Sequence, residues 1–481
     1  MGAEPVVWSW APLRDAEAAN EGRRVLVIAY FFPPSNASGT HRTMRYARYL
    51  PEFGWQPIVL TVKDEVHWIV DEGLLAQLPP GLQVHRTRSI EPARALGRLA
   101  GSFGRALRGG RHPAEGPAPV GDSDPQPSTG AVMATLKKGL GSVQDLLSIP
   151  DAQIGWLPFA TWTGMRVIRS TRPELIYTTA QPWTASLIGL ALKRLTGLPW
   201  IADVRDGWTV ASGFHGTTSG LKRVVSRALE RLVIRTADLI IVTTNATRDA
   251  YLRHFEGELT ENRVAVIYNG FDSRHLDAMN YTSASGDSRF TLVMAGTTRA
   301  AHDLLPFCEA LSDVVRGREL SPEQIRVSFV GDVYPALVQH VKSLAITEYV
   351  CFTERVSYEE SKSVIGQSTA LLLPIGCVAG SEFTVPAKAF HYLLADKPIL
   401  ALAPESSEVA NLVRESGSGI VVSPTDRRAI GDAVLRLYDE HEKGGLDKYS
   451  VTQNFLDRFR ADRLTGQLSE HMKNLSLAGR P

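Results

Sequence analysis

RVLVIAYFFPPSNASGTHRTMRYARYLPEFGWQPIVLTV, residues 24–62, holds one complete repeat of the expected fold. Val25 to Tyr30 and Ile58 to Val62 are short β-branched runs. Between them, Thr40 to Phe53 has helical spacing, with Met44, Tyr46, Ala47 and Leu50 on one stripe and His41, Arg42, Arg45 and Arg48 on a more polar side. Ser38 or Thr40 suits the cap of that helix. Strand, helix and strand in this order form a unit that feeds a parallel sheet.

The rhythm continues outward. Strands are expected at Leu175–Thr179, Trp200–Val204, Leu239–Thr243 and Val264–Ile267, with helices over Trp183–Leu195, Leu221–Arg235 and Ala246–His254. Asn269-Gly270 ends this series in a turn. A polar stretch from Asn280 to Ser288 reads as an interdomain linker. A second series begins at Phe290–Gly296 and continues with strands at Val327–Gly331, Tyr349–Phe352, Ala370–Pro374, Pro398–Leu402 and Gly419–Val422. The regularity fails only between residues 92 and 150, where Pro and Gly interrupt any regular element and an Arg-rich half suits either a solvated loop or contact with an anionic membrane. The expected class is therefore α/β, two doubly wound lobes facing a cleft. The expected division is an extension over 1–23, a first lobe over 24–278 with the 92–150 insertion, a second lobe over 289–448, and C-terminal helices over 449–481 that cross back to the first lobe.

Composition narrows the function. The chain has 481 residues, enough for more than one hydrophobic core, and 44% of them are hydrophobic. With 52 Lys+Arg against 51 Asp+Glu, the net charge of +1 argues against a dedicated nucleic-acid binder. Cys308, Cys351 and Cys377 form no metal-ligand pairs and read as small buried hydrophobes in a reducing compartment. The acidic start, Met1 to Asn20, does not look like a secretory signal, which favours the cytoplasm.

The most informative segment for chemistry is Gly380 to Pro398, GSEFTVPAKAFHYLLADKP. Thr384 suits a helix cap and Pro386 the first turn, so helix N–H groups beside Lys388 would make a seat for a diphosphate. Lys388 reads equally well as a solvated side chain at a helix start. The first βα turn lacks Gly-x-Gly-x-x-Gly, which disfavours a NAD-dependent dehydrogenase.

Taken together, residues 25–55, 199–208 (PWIADVRDGW), 237–272 (ADLIIVTTNATRDAYL to VAVIYNGFD), 295–298 and 385–401 (VPAKAFHYLLADKPILA) resemble the GT-B glycosyltransferases of family 4. The resemblance implies a retaining, metal-independent enzyme without cofactor that takes a sugar from a UDP- or GDP-sugar. It implies donor contacts from Gly39, Thr40, Gly296, Thr298, Arg299, Lys388 and His391. It places Asp203, Asp206 and Glu382 as the catalytic acids, and His41, Arg42 and Arg205 on the acceptor side. The Asp-Arg cluster reads equally as a structural ion pair. The chain departs from the family where His391 stands for the Glu that contacts the ribose and Asp396 stands for a Gly. A neutral His accepts one hydrogen bond, which affects nucleoside binding. The implied acceptor is lipid-linked, in cell-surface polysaccharide or glycolipid synthesis at the inner face of the membrane. A natural-product aglycone and a silent sugar-binding subunit are the alternatives.

Overall fold

The computed structural model describes residues 22–37, 39–63, 70–91, 147–210, 220–272, 289–296, 304–376 and 380–478. Almost all of the 92–150 insertion, the 280–288 linker, Ser38, Thr298, Arg299 and Cys377 lie outside them.

The first lobe is a seven-stranded sheet. Its strands are β1 (Arg23–Ala29), β2 (Trp55–Val62), β3 (Gln83–Thr87), β4 (Leu175–Ala180), β5 (Trp200–Val204), β6 (Leu239–Val242) and β7 (Val264–Val266), in the spatial order 3-2-1-4-5-6-7. Every pairing is parallel. Helices α1 (Thr40–Tyr49), α2 (Leu157–Thr171), α3 (Thr184–Thr196), α4 (Gly220–Thr236) and α5 (Asn245–His254) cover it. β4, β5 and β6 are buried along their whole length, which is why they are mostly apolar, interrupted only by Thr178, Thr179 and Asp203. Strand β3 was not expected. It lies at the sheet edge and alternates half-exposed polar residues, so it offers no apolar run to recognise.

The second lobe repeats the plan with six parallel strands: β8 (Phe290–Ala295), β9 (Ile325–Val330), β10 (Val350–Thr353), β11 (Ala370–Pro374), β12 (Ile399–Leu402) and β13 (Gly419–Val422), in the order 10-9-8-11-12-13. Its helices are α6 (Leu305–Gly317), α7 (Pro335–Ser343), α8 (Tyr358–Gln367), α9 (Ala387–Leu394), α10 (Glu408–Ser416) and α11 (Arg427–Glu442). The fold is thus the expected α/β pair of Rossmann-like lobes. In each, strand order reverses between two neighbours, β1 and β4 or β8 and β11, and the crevice for a ligand opens beyond their carboxyl ends.

After α12 (Gln453–Asp457), helix α13 (Ala461–Ala478) packs on α1, with Leu464, Leu468 and Met472 in one cluster with Tyr46, Ala47 and Leu50. The chain crosses between lobes where Phe271 N–H donates to Phe459 O at 2.9 Å and Ala461 N–H donates to Phe271 O at 2.8 Å. Gly270 makes this approach possible: φ is +58° and an added Cβ would meet Phe459 O at 2.2 Å. Asp396 holds φ at +52°, in the left-handed region that favours glycine, and its carboxylate accepts from Val451 N–H at 2.9 Å, tying the same crossing segment.

Three local expectations are corrected. Helix α1 stops at Tyr49 and tightens into a 3-10 turn over Leu50–Phe53, where Pro51 supplies no N–H. Its N-cap is Gly39, and Thr40 is the first helical residue, with its hydroxyl buried and unpartnered. Among the cysteines, Cys308 is buried but Cys351 is exposed.

Candidate active site

The first-lobe crevice is built around the turn that follows β1 and the loop that follows β5. Arg205 leaves the end of β5 and folds over Gly39: a Cβ there would lie 2.7 Å from a guanidinium nitrogen. The same guanidinium donates to Ala180 O at 2.7 Å and Gln181 O at 3.0 Å, at the end of β4. Burial lowers the Arg205 pKa, and neighbouring Asp206 and Asp203 oppose the drop. The two sides of the β1/β4 reversal are therefore stapled by one cation. Gly39→Ala is expected to push Arg205 off these carbonyls and reduce turnover about tenfold or more. Its thermal midpoint should change little, because the clash falls on the end of a flexible side chain; steady-state kinetics and a melting curve check both.

Asp206 is exposed on that loop, and His41 is exposed on α1, with its Nε2 3.1 Å from Asn36 Oδ1. Asp203 and Arg42 require correction. Neither opens on the crevice: the Asp203 carboxylate is 1% exposed and Arg42 is 3% exposed. Arg42 donates to Asp203 through Nε at 2.8 Å and Nη2 at 3.1 Å, the Tyr177 hydroxyl donates to the same carboxylate, and Arg42 also donates to Tyr268 O at 2.9 Å. Burial by itself would lower the Arg42 pKa; Asp203, Tyr46 and Tyr177 turn the balance upward. The structural ion pair that the Asp203, Arg205 and Asp206 cluster also suggested is formed by Asp203, with Arg42 as its partner. Arg48 makes a second buried pair with Asp272, which also accepts from the Tyr49 hydroxyl at 2.6 Å. Two residues of the side of α1 expected to be polar, Arg42 and Arg48, are thus buried, because each meets a carboxylate, while His41 stays exposed.

The second-lobe crevice centres on α9. Its N-cap is Pro386, and no side chain caps the helix, so Thr384 is not the cap; it ends the short turn Ser381–Phe383 instead. The Tyr392 hydroxyl accepts from Ala295 N–H at 2.8 Å, which fixes α9 against the end of β8 beside Gly296. Burial raises the pKa of that hydroxyl and keeps it neutral. Lys388 and His391 are half-buried on this helix. Glu382 turns back on its own loop and accepts from Gly380 N–H at 3.0 Å. Arg299 and Thr298 lie outside the described residues.

The two crevices meet along one edge. The Thr244 hydroxyl, itself the cap of α5, donates to Phe383 O at 2.8 Å, and Glu408 of α10 accepts from Ala246 N–H in the first turn of α5. A carboxylate at a helix N-terminus is favourable there. Burial raises the Glu408 pKa, and Glu415 and Asp249 add to the rise, against the Ala246 N–H bond and Arg248. The folded chain therefore binds the Glu408 proton more tightly than the unfolded chain. The stability this contributes is fully present at and below the ordinary carboxylate value and is lost as pH rises through the raised pKa. Chemical denaturation between about pH 4.5 and 7 is expected to show stability falling with pH at this group, and Glu408→Gln to flatten that dependence.

Sequence reasoning also missed Glu230. It is 1% exposed in α4 and accepts from Thr209 N–H at 2.9 Å, from the Thr209 hydroxyl, and from the Tyr251 hydroxyl at 2.6 Å. Its signal was positional: Ser226, Glu230, Val233 and Ile234 share the buried stripe of α4.

The chain is similar in sequence and in fold to known proteins. A family model described as Glycosyltransferase Family 4 matches residues 129–275, and one described as Glycosyl transferases group 1 matches residues 289–440. A probable glycosyltransferase, WbjE, of Pseudomonas aeruginosa is 29% identical over 140 residues, 28% of this chain and 34% of that protein. The match thus spans about a third of that relative's length. Among solved structures, sucrose-phosphate synthase from Thermosynechococcus elongatus superposes with a TM-score of 0.59 at 13% identity, covering 95% of this chain and all of the other. Anabaena Alr3699/HepE, solved in complex with UDP and glucose, gives 0.57 at 14% identity over 94% and 99% of the two chains.

Proposed function

Since the chain belongs with the GT-B glycosyltransferases of the family 4 kind, its two lobes matching that family's two models, we propose that it moves a sugar from a nucleotide diphosphate sugar to an acceptor hydroxyl with retention at the anomeric carbon. The observation that carries this reading is the α9 N-terminus. It is a helix start without a side-chain cap, with Lys388 in its first turn, held by Tyr392 at the strand-order reversal of the second lobe. Such a start offers N–H donors and a positive dipole end to a diphosphate. The binding of UDP and glucose by the Anabaena neighbour supports the same donor class.

In the proposed reaction, negative charge grows on the β-phosphate as the glycosidic bond breaks. Lys388, the α9 N–H groups and Arg299 stabilise that charge in place of a metal. The sugar carbon passes through an oxocarbenium-like state. The acceptor hydroxyl attacks from the face the diphosphate is leaving, and its proton passes to the departing phosphate. Asp206 and His41 line the acceptor side, Gly39 and Gly296 allow close approach of the donor, and Glu382 shapes the donor loop. His391 contacts the ribose with a single acceptor where relatives use Glu. Asp203 and Arg42 are given a positioning role under the crevice floor.

A lipid-linked acceptor in cell-surface polysaccharide or glycolipid assembly, reached by peripheral contact with the inner face of the membrane, is the pathway proposed. No helix among the described residues is long and apolar enough to cross a membrane. Incubation with a panel of UDP- and GDP-sugars and a lipid extract, with free nucleotide diphosphate as readout, tests the proposal. Release from at least one donor is expected; a protein that binds sugar nucleotides yet releases nothing would instead be a silent subunit of the same fold.

A further inference from the structure

The loop Arg205 to Thr209 is held at both ends. At its start, Arg205 grips the Ala180 and Gln181 carbonyls, and the Thr243 hydroxyl donates to Arg205 O at 2.7 Å. At its end, Thr209 gives both its N–H and its hydroxyl to Glu230. The residue before it, Trp208, donates its N–H to the Tyr251 hydroxyl at 3.0 Å, and that hydroxyl donates in turn to the other Glu230 oxygen. The Trp208 ring stacks on Trp183 with centroids 5.0 Å apart and planes 4° apart. Between the two anchors stand only Asp206 and Gly207, and Asp206 is exposed.

A carboxylate is an expensive group to bury. Glu230 lies 1% exposed between Ser226, Val233 and Ile234, and its bonds all go to Thr209 and Tyr251. An apolar side chain would fill that stripe at less desolvation cost. What a carboxylate does there, and an apolar group cannot, is accept three donors from one loop and its neighbouring helix at fixed geometry.

We propose that Glu230 is a positioning residue: it sets the conformation of the Arg205–Thr209 loop through Thr209, Tyr251 and Trp208, and thereby the direction in which Asp206 meets the acceptor. The part concerning the acceptor rests on the transferase reading; the anchoring of the loop does not. Glu230 touches no substrate, so its loss should act on turnover and leave donor binding alone.

The test uses the full chain and two readouts. The first is the exciton couplet of the stacked Trp183–Trp208 pair in far-ultraviolet circular dichroism. The second is kcat and KM for UDP release from UDP-glucose. Glu230→Ala is expected to weaken the couplet and to lower kcat about tenfold to a hundredfold, with KM for UDP-glucose within about twofold of wild type. Glu230→Gln, which keeps one acceptor, should fall between. If Glu230→Ala does not fold, Glu230→Gln and Glu230→Asp carry the test, since the shorter acid retains the charge but cannot reach both partners. An unchanged couplet with unchanged kcat, whatever the loss of thermal stability, overturns the proposal. If the wild-type protein leaves UDP-glucose intact, the transferase reading fails for that donor and the couplet decides alone: its loss in the variants supports the anchoring role and its persistence overturns it.

Discussion

Lys388→Ala is expected to lower kcat for sugar transfer by about a hundredfold to a thousandfold, the loss seen when one preorganised donor to a developing negative charge is removed. The fold should survive, because α9 is held by Ala389, Phe390, Tyr392 and Leu393, which are buried, while Lys388 is half-buried at the helix start. Lys388→Arg keeps the charge but replaces a compact ammonium with a planar fork, and should recover part of the rate. Steady-state kinetics of nucleotide diphosphate release measures both. If Lys388 only solvates a helix start, both variants will turn over at the wild-type rate.

Arg42→Ala is expected to destabilise the protein by about 3–5 kcal/mol, as removal of one member of a buried ion pair does. The carboxylate of Asp203 would remain 1% exposed with the Tyr177 hydroxyl as its donor. Chemical denaturation followed by tryptophan fluorescence provides the measurement. The paired substitution Arg42→Met with Asp203→Leu should cost much less than the two single changes added together, because neither charge is then left buried alone. A loss below about 1 kcal/mol for Arg42→Ala would put the pair in the class of solvent-screened surface bridges, against its observed burial.

These two residues also mark where the sequence was legible and where it was not. Strand β11 ends where its apolar run ends, because a strand buried in the middle of its sheet is written in hydrophobic residues. Edge strand β3 has no such signature. The anion seat on α9 was visible because its parts, Pro386, Lys388 and the helix that follows, are adjacent in the chain. Its expected cap was wrong because Thr384 sits two residues too early, closing a separate turn. Arg42 and Arg48 of α1 were assigned to the polar side of their helix for a different reason. Their partners lie far along the chain, Asp203 at 161 residues from Arg42 and Asp272 at 224 from Arg48, and no local period reports a pair formed at such separation. Glu230 was missed for the same cause: a charged residue on an apolar stripe reads as an exception until Thr209 and Tyr251 are seen around it.

Asp396 shows the opposite case. The sequence displayed the departure from Gly without its meaning. The structure supplies it, since the residue keeps the left-handed backbone that Gly would have adopted and uses its side chain to hold Val451.

The central claim is that the α9 N-terminus, with Lys388, seats the diphosphate of a nucleotide sugar. A crystal grown with millimolar UDP tests it most directly. The account predicts diphosphate oxygens within hydrogen-bond distance of the Lys388 ammonium and the first α9 N–H groups, with the ribose beside His391. UDP bound elsewhere, or a crevice with no nucleotide density while Lys388→Ala binds UDP as tightly as wild type in solution, would contradict it.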